Sequence, residues 1–155
     1  MIKWYWLSAL VIVLDQISKQ LADTQLVFHQ AVMMFPGFNL TLMYNEGAAF
    51  SFLSNAGGWQ RWFFTVLSLL VSIVLAVWIR RLEHDKQLLA AGLAFILGGA
   101  IGNLIDRVLY GHVIDFIDVY YQNNHFPAFN LADSAITLGA CLLIIDMFLE
   151  HKKHG

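Results

Sequence analysis

The chain has 155 residues, 59% of them hydrophobic and only 13% charged, with a mean hydropathy of +0.63. Soluble domains are about a quarter charged, so this composition points to a membrane protein. A net charge of −2 without a basic run excludes a nucleic-acid footprint, and a single cysteine, Cys141, excludes a disulfide framework.

Trp4 to Leu14 is apolar for eleven residues before Asp15 and Lys19 interrupt it. No small-x-small cleavage pattern follows, so the expectation is an uncleaved first span over about 4–21 rather than a secretory leader. Asp15 and Lys19 are spaced i, i+4 and share a helix face. That favours an ion pair in which the lysine snorkels and anchors the helix end.

The stretch over about 22–60 is too apolar for a solvated connector. In "FNLTLMYN", Phe38, Leu40, Leu42 and Tyr44 alternate with Asn39, Thr41, Met43 and Asn45, which predicts a strand with one greasy face. Pro36-Gly37 and Asn45-Glu46-Gly47 are turn signals on either side, and "AAFSF" (48–52) is a candidate second strand. Such a sheet would rest on the bilayer or on a lipid-like ligand, or act as a structural prop.

Trp62 to Ile79 and Leu88 to Ile105 each run eighteen residues without a charge. A helix needs about 20 residues to cross the hydrocarbon, so both read as spans. In "GGAIGNLIDR" (98–107), Gly98, Gly99 and Gly102 leave room for another helix backbone. Asn103 and Asp106 share a face at its end, with Arg107 beside them. A packing groove explains the glycines but not the convergence of three polar groups.

"GHVIDFIDVYY" (111–121) sets Asp115 and Asp118 in an apolar run. An extended backbone would point them to opposite faces. Asp115 precedes Asp133 by eighteen residues, enough for the segment to fold back onto the head of a fourth span over about 132–149. Asn130 stands at the expected start of that helix, and the positive end of its dipole favours Asp133. Alone, Asp133 reads as a cap, and Cys141 among Leu and Ile reads as a packing residue.

Lys3, then Arg80, Arg81 and Lys86, then Lys152 and Lys153 fall at the N-terminus, the second connection and the C-terminus. The positive-inside rule puts those on the cytoplasmic side. The connections over about 22–60 and 107–131 then face outward, and Asn45, Asn103, Arg107, Asp115, Asn130 and Asp133 all map to that face. The expected fold class is an all-α membrane protein: one integral domain over 1–155, four transmembrane helices, both termini cytoplasmic, and a small outer β-sheet.

Two carboxylates held close share one proton, so the ionised one can activate water while the protonated one donates to a carbonyl oxygen. No HExxH zinc motif and no G-x-S-x-G is present, and His112, Asp115, Asp118 and His125 match no defined metal spacing. No metal and no cofactor is therefore expected.

"DQISK" (15–19), "NEGAAFS" (45–51), "GGAIGNLIDR" (98–107), "GHVIDF" (111–116) and "FNLADS" (129–134) follow one another in order. Together they resemble the five sequence boxes of the lipoprotein signal peptidases, also called signal peptidase II. The resemblance implies a bacterial inner-membrane aspartyl endopeptidase that removes the signal peptide from diacylated prolipoproteins, cutting before the lipidated cysteine. It implies Asp115 and Asp133 as the catalytic pair, Asn45, Asn103, Arg107 and Asn130 as substrate-binding residues, and Asp15, Lys19 and Asp106 as supports. Membrane lipid and the cyclic peptide antibiotic globomycin are the other implied partners.

Two other readings fit parts of the chain. A small proton-coupled exporter would use Asp15, because ionisable residues within a membrane often mark proton relays. A noncatalytic lipid-binding protein would use the same outer loops and the glycine groove.

Overall fold

The computed structural model describes residues 1–46 and 59–154, with side chains through Lys152. Among these residues the chain forms α1 (Trp4–Gln25), β1 (Ala31–Phe35), β2 (Phe38–Asn45), α2 (Trp59–Arg81), α3 (Gln87–Leu109), β3 (Val113–Tyr121), β4 (Asn124–His125) and α4 (Leu131–His154). The candidate strand "AAFSF" lies outside the described residues.

Helix α3 is the axis of the bundle. Its buried residues run nearly all round it, from Ala90 and Leu93 through Gly98, Gly99 and Gly102 to Asn103 and Asp106. A helix buried on all sides needs small residues where its neighbours cross. A Cβ on Gly98 would lie 2.7 Å from Cβ of Val11 in α1, and one on Gly99 would meet the carbonyl oxygen of Ala132 in α4. The glycines thus admit α1 and α4 on two sides, as the sequence predicts.

On the remaining side, Leu75 and Ile79 of α2 pack against Leu93, Ala94 and Leu97 of α3. Much of the rest of α2, including Trp62, Phe63, Val66, Leu70 and Val74, is exposed. Apolar surface of that extent is suited to hydrocarbon. Three helical segments, Trp59–Arg81, Gln87–Leu109 and Leu131–Lys152, are long and apolar enough to cross a membrane. Helix α1 is not among them, and its buried stripe runs through Ser8, Val11, Asp15, Lys19 and Ala22.

The predicted strand at 38–45 is present as β2, and it lies within a four-stranded antiparallel sheet of order β1-β2-β3-β4. Gly37, with φ of +92°, turns β1 into β2, a conformation open to glycine at little cost. The expected single greasy face is corrected. Between Leu40 and Met43 the β2–β3 register shifts, so Asn39 and Leu42 are both buried while Tyr44 is 40% exposed. A register irregularity of this kind reassigns side chains between faces and breaks strict alternation.

Candidate functional site

Strand β3 does fold back onto the head of α4. Its isolated bridge from Ile117 to Phe129 brings the chain alongside itself just before the helix begins. There Asn130 caps α4 reciprocally with Asp133. The Asp133 N–H donates to Oδ1 of Asn130 at 2.9 Å, and the Asn130 N–H donates to Oδ2 of Asp133 at 3.2 Å. This is the capping-box arrangement, with Asp standing where Glu is commoner.

The Asn130 side chain is fully buried, and its Nδ2 donates to Oδ1 of Asp115 at 2.7 Å. Asn45 Nδ2 donates to the other Asp115 oxygen at 3.3 Å, and Asn103 Nδ2 donates to Oδ1 of Asp133 at 2.8 Å. Each oxygen of both carboxylates therefore accepts an N–H. Burial, and then the charge of Asp133, push the Asp115 carboxyl up to about 7, against the pull of the Asn45 and Asn130 donors.

Asp118 behaves differently. It points away from Asp115 and accepts from Asn39, from Thr41 and, at 2.7 Å, from Nδ1 of His125. Burial raises its carboxyl, but these three bonds together outweigh that and hold it below the usual range. Sequence spacing left Asp115 and Asp118 as competitors, and only Asp115 joins the group around Asn130.

Beneath the pair lies a sealed ionic network. Lys19 Nζ is 2.8 Å from Asp15 Oδ2 and 2.9 Å from Asp106 Oδ2, and donates to Asn103 Oδ1 at 2.9 Å. Lys19 and Asp15 are both 0% exposed, so the snorkelling expectation is wrong. Snorkelling requires a path to water, and the lysine here has its three donors satisfied inside the bundle.

Arg107 stands beside this group with its guanidinium 5.7 Å over the Phe64 ring, and Nη1 donates to the Asn103 carbonyl at 3.4 Å. Among the described residues its buried Nε has no hydrogen-bond partner. His112 lies against Tyr44, and His125 stacks on Tyr120 while bonding Asp118, so the two histidines do not gather with Asp115 and Asp118 into one group. Among the described residues no three His, Cys, Asp or Glu side chains form a metal-binding group.

One participant escaped sequence reasoning. Gln16 donates to Asp106 Oδ1 at 2.8 Å and to the Gly102 carbonyl at 3.1 Å. Its signal was a glutamine next to Asp15 in an apolar helix. Cys141 also differs from expectation, being exposed rather than packed inside the protein. It lines a groove of about 540 Å³ with Phe126, Phe129, Asp133, Thr137 and Leu138, which leads along α4 to the Asp133 carboxylate.

The sequence model of the family described as Signal peptidase (SPase) II matches residues 7–149. The chain belongs to the signal peptidase II family. A lipoprotein signal peptidase of Acinetobacter baumannii is 57% identical over 150 residues, covering 97% of this chain and 85% of that protein. One from Pseudomonas aeruginosa is 53% identical over 154 residues, covering 98% and 90%. A bacterial membrane enzyme structure obtained by the in meso method at 2.3 Å resolution superposes with a TM-score of 0.87 at 29% identity, covering 100% of this chain and 93% of that one. Membership in signal peptidase II makes the protein a protease, hence a hydrolase of lipoprotein processing, and its three apolar helices fit a multi-pass membrane protein.

Proposed function

We propose that the protein removes signal peptides from diacylglyceryl-modified prolipoproteins, cutting before the lipidated cysteine, with Asp115 and Asp133 as the aspartyl pair. The observation that carries this reading is the buried carboxyl of Asp115, lifted to about 7 and tied through Asn130 to Asp133. Such a pair retains one proton near neutrality, and that proton belongs to the pair rather than to either residue.

In the reaction, the ionised carboxylate takes a proton from water as its oxygen attacks the scissile carbonyl. The protonated partner donates to the carbonyl oxygen, giving a tetrahedral diol. Collapse of the diol breaks the C–N bond, and a carboxyl proton goes to the departing cysteine amine. Asn103 and Asn130 hold the carboxylates at the substrate-binding site, and Asn45 faces the substrate backbone. Arg107, whose Nε has no partner among the described residues, meets a substrate carbonyl or a lipid phosphate. Asp15, Lys19 and Asp106 support the site.

In this reading α1 crosses the inner membrane as a fourth span, both termini are cytoplasmic, and the pair sits near the outer interface, where water reaches it. The chain acts as one integral domain. The exposed apolar side chains of β1, Val32, Met33, Met34 and Phe35, then lie at the lipid surface. A globomycin-type cyclic peptide would compete for the substrate position. Full burial of Asp15 against Lys19 weighs against an exporter built on that residue.

The test is cleavage of a diacylated prolipoprotein by purified Asp115→Asn, Asp133→Asn and Asp118→Asn. Folded but inactive forms of the first two, with an active third, support the reading. Near wild-type cutting by either of the first two would overturn it.

A further inference from the structure

We infer that Lys19 is the positioning residue that sets the two candidate catalytic aspartates against each other, an inference that rests on the aspartyl-pair reading above. The three acceptors of its ammonium each lead to the pair by a separate route. Asp15 uses its second oxygen to accept the Ala132 N–H at 2.9 Å, and Ala132 immediately precedes Asp133. Asp106 accepts the Ile114 N–H at 3.1 Å, and Ile114 immediately precedes Asp115. Asn103 accepts from Lys19 through Oδ1, which turns its Nδ2 toward Oδ1 of Asp133.

The third route also fixes an orientation. An amide side chain can place its oxygen and nitrogen either way round. With an ammonium on one side, which only donates, the oxygen must face Lys19, so the nitrogen must face the carboxylate. Lys19, together with the Asn130 Nδ2 that also donates to this oxygen at 3.2 Å, therefore sets Asn103 to present a donor to Asp133. The lysine touches neither the pair nor the space a substrate would fill, and acts entirely through these partners.

Lys19 also supplies positive charge beneath the pair. Among the described residues, Arg107 of α3 also interacts with Asp115 and Asp133, and Asp106 of α3 and Asp15 of α1 are the anions paired with Lys19. Loss of a cation makes protons harder to remove from the pair, so both limbs of its pH profile move to higher pH.

The test compares wild type, Lys19→Met and the double variant Lys19→Met/Asp15→Asn, which keeps the net charge of the network at the wild-type value and guards against misfolding. KM, kcat and the kcat–pH profile are measured on a diacylated prolipoprotein, with folding checked by a cooperative melt. The expected result is an almost unchanged KM and a kcat lower by about 100-fold in both variants, with both pH limbs moved upward in Lys19→Met and returned toward wild type in the double variant. A folded single variant that keeps wild-type kcat and pH limbs, or a folded double variant that keeps wild-type kcat, overturns the inference. Asp115→Asn and Asp133→Asn run beside them: if those two stay inactive while the Lys19 variants cut normally, only the role of Lys19 falls. If those two cut, the aspartyl reading itself falls.

Discussion

Asn130 donates from Nδ2 to Oδ1 of Asp115 at 2.7 Å while its own Oδ1 accepts the main-chain N–H of Asp133. One buried side chain thus begins helix α4 and holds the carboxylate of strand β3. Capping and site geometry become inseparable at this position.

Asn130→Ala removes both roles. The cap loss alone destabilises by about 1 kcal/mol, and the freed Asp115 lowers kcat by about 100-fold. Asn130→Ser restores a capping oxygen but not the reach to Asp115. Its melting temperature should return toward wild type while its activity stays low, as thermal melts and cleavage assays on the same samples would record.

The raised carboxyl of Asp115 has a consequence for stability. Folded, it holds its proton up to about 7, against 3.8 for an unperturbed Asp, so folding takes up a proton between those values. The contribution is fully present below about pH 4 and is lost as pH rises through 7, by an upper bound of roughly 4 kcal/mol. Melting temperature should therefore decline from pH 4 to 7 in wild type, and the slope should flatten in Asp115→Asn. An unchanged slope would mean that Asp115 is already ionised in that range.

Gly99 and Gly139 sit at different heights of the α3–α4 crossing, and a Cβ on either meets backbone of the facing helix. Each Ala substitution should destabilise by about 1–3 kcal/mol. Only Gly99→Ala presses on Ala132 at the head of α4, so it should also reduce kcat, whereas Gly139→Ala should leave kcat per folded molecule near wild type.

Asp118 and His125 offer a contrast. His125 is half exposed, so His125→Ala should change stability by no more than about 1 kcal/mol and leave cleavage intact. The depressed carboxyl of Asp118 gives the opposite pH sense from Asp115: its stabilisation holds at neutral pH and is lost as pH falls through its folded value.

The polar residues of the site were visible in the sequence because Asn103, Asp115, Asn130 and Asp133 stand out in apolar surroundings, and the glycines before Asn103 announced close helix packing. Lys19 was misread for a definite reason. Its i, i+4 spacing reveals Asp15, but its other acceptors, Asn103 and Asp106, come from a different helix, and Asn103 is 84 residues away. Burial created by such distant packing leaves no local periodicity. The irregularity in β2 was hidden likewise, since alternation in one strand says nothing of register with its neighbour.

The bond from Asp15 to the Ala132 N–H spans 117 residues of the 155. A nascent chain therefore carries the Asp15–Lys19 pair long before Asn103, Asp106 and Ala132 are made. Asp133 arrives with α4, so no hydrolytic centre exists until that helix has been made. In the reading proposed above, a prematurely terminated product is inert toward the signal peptides around it, and competence begins only when the finished bundle closes.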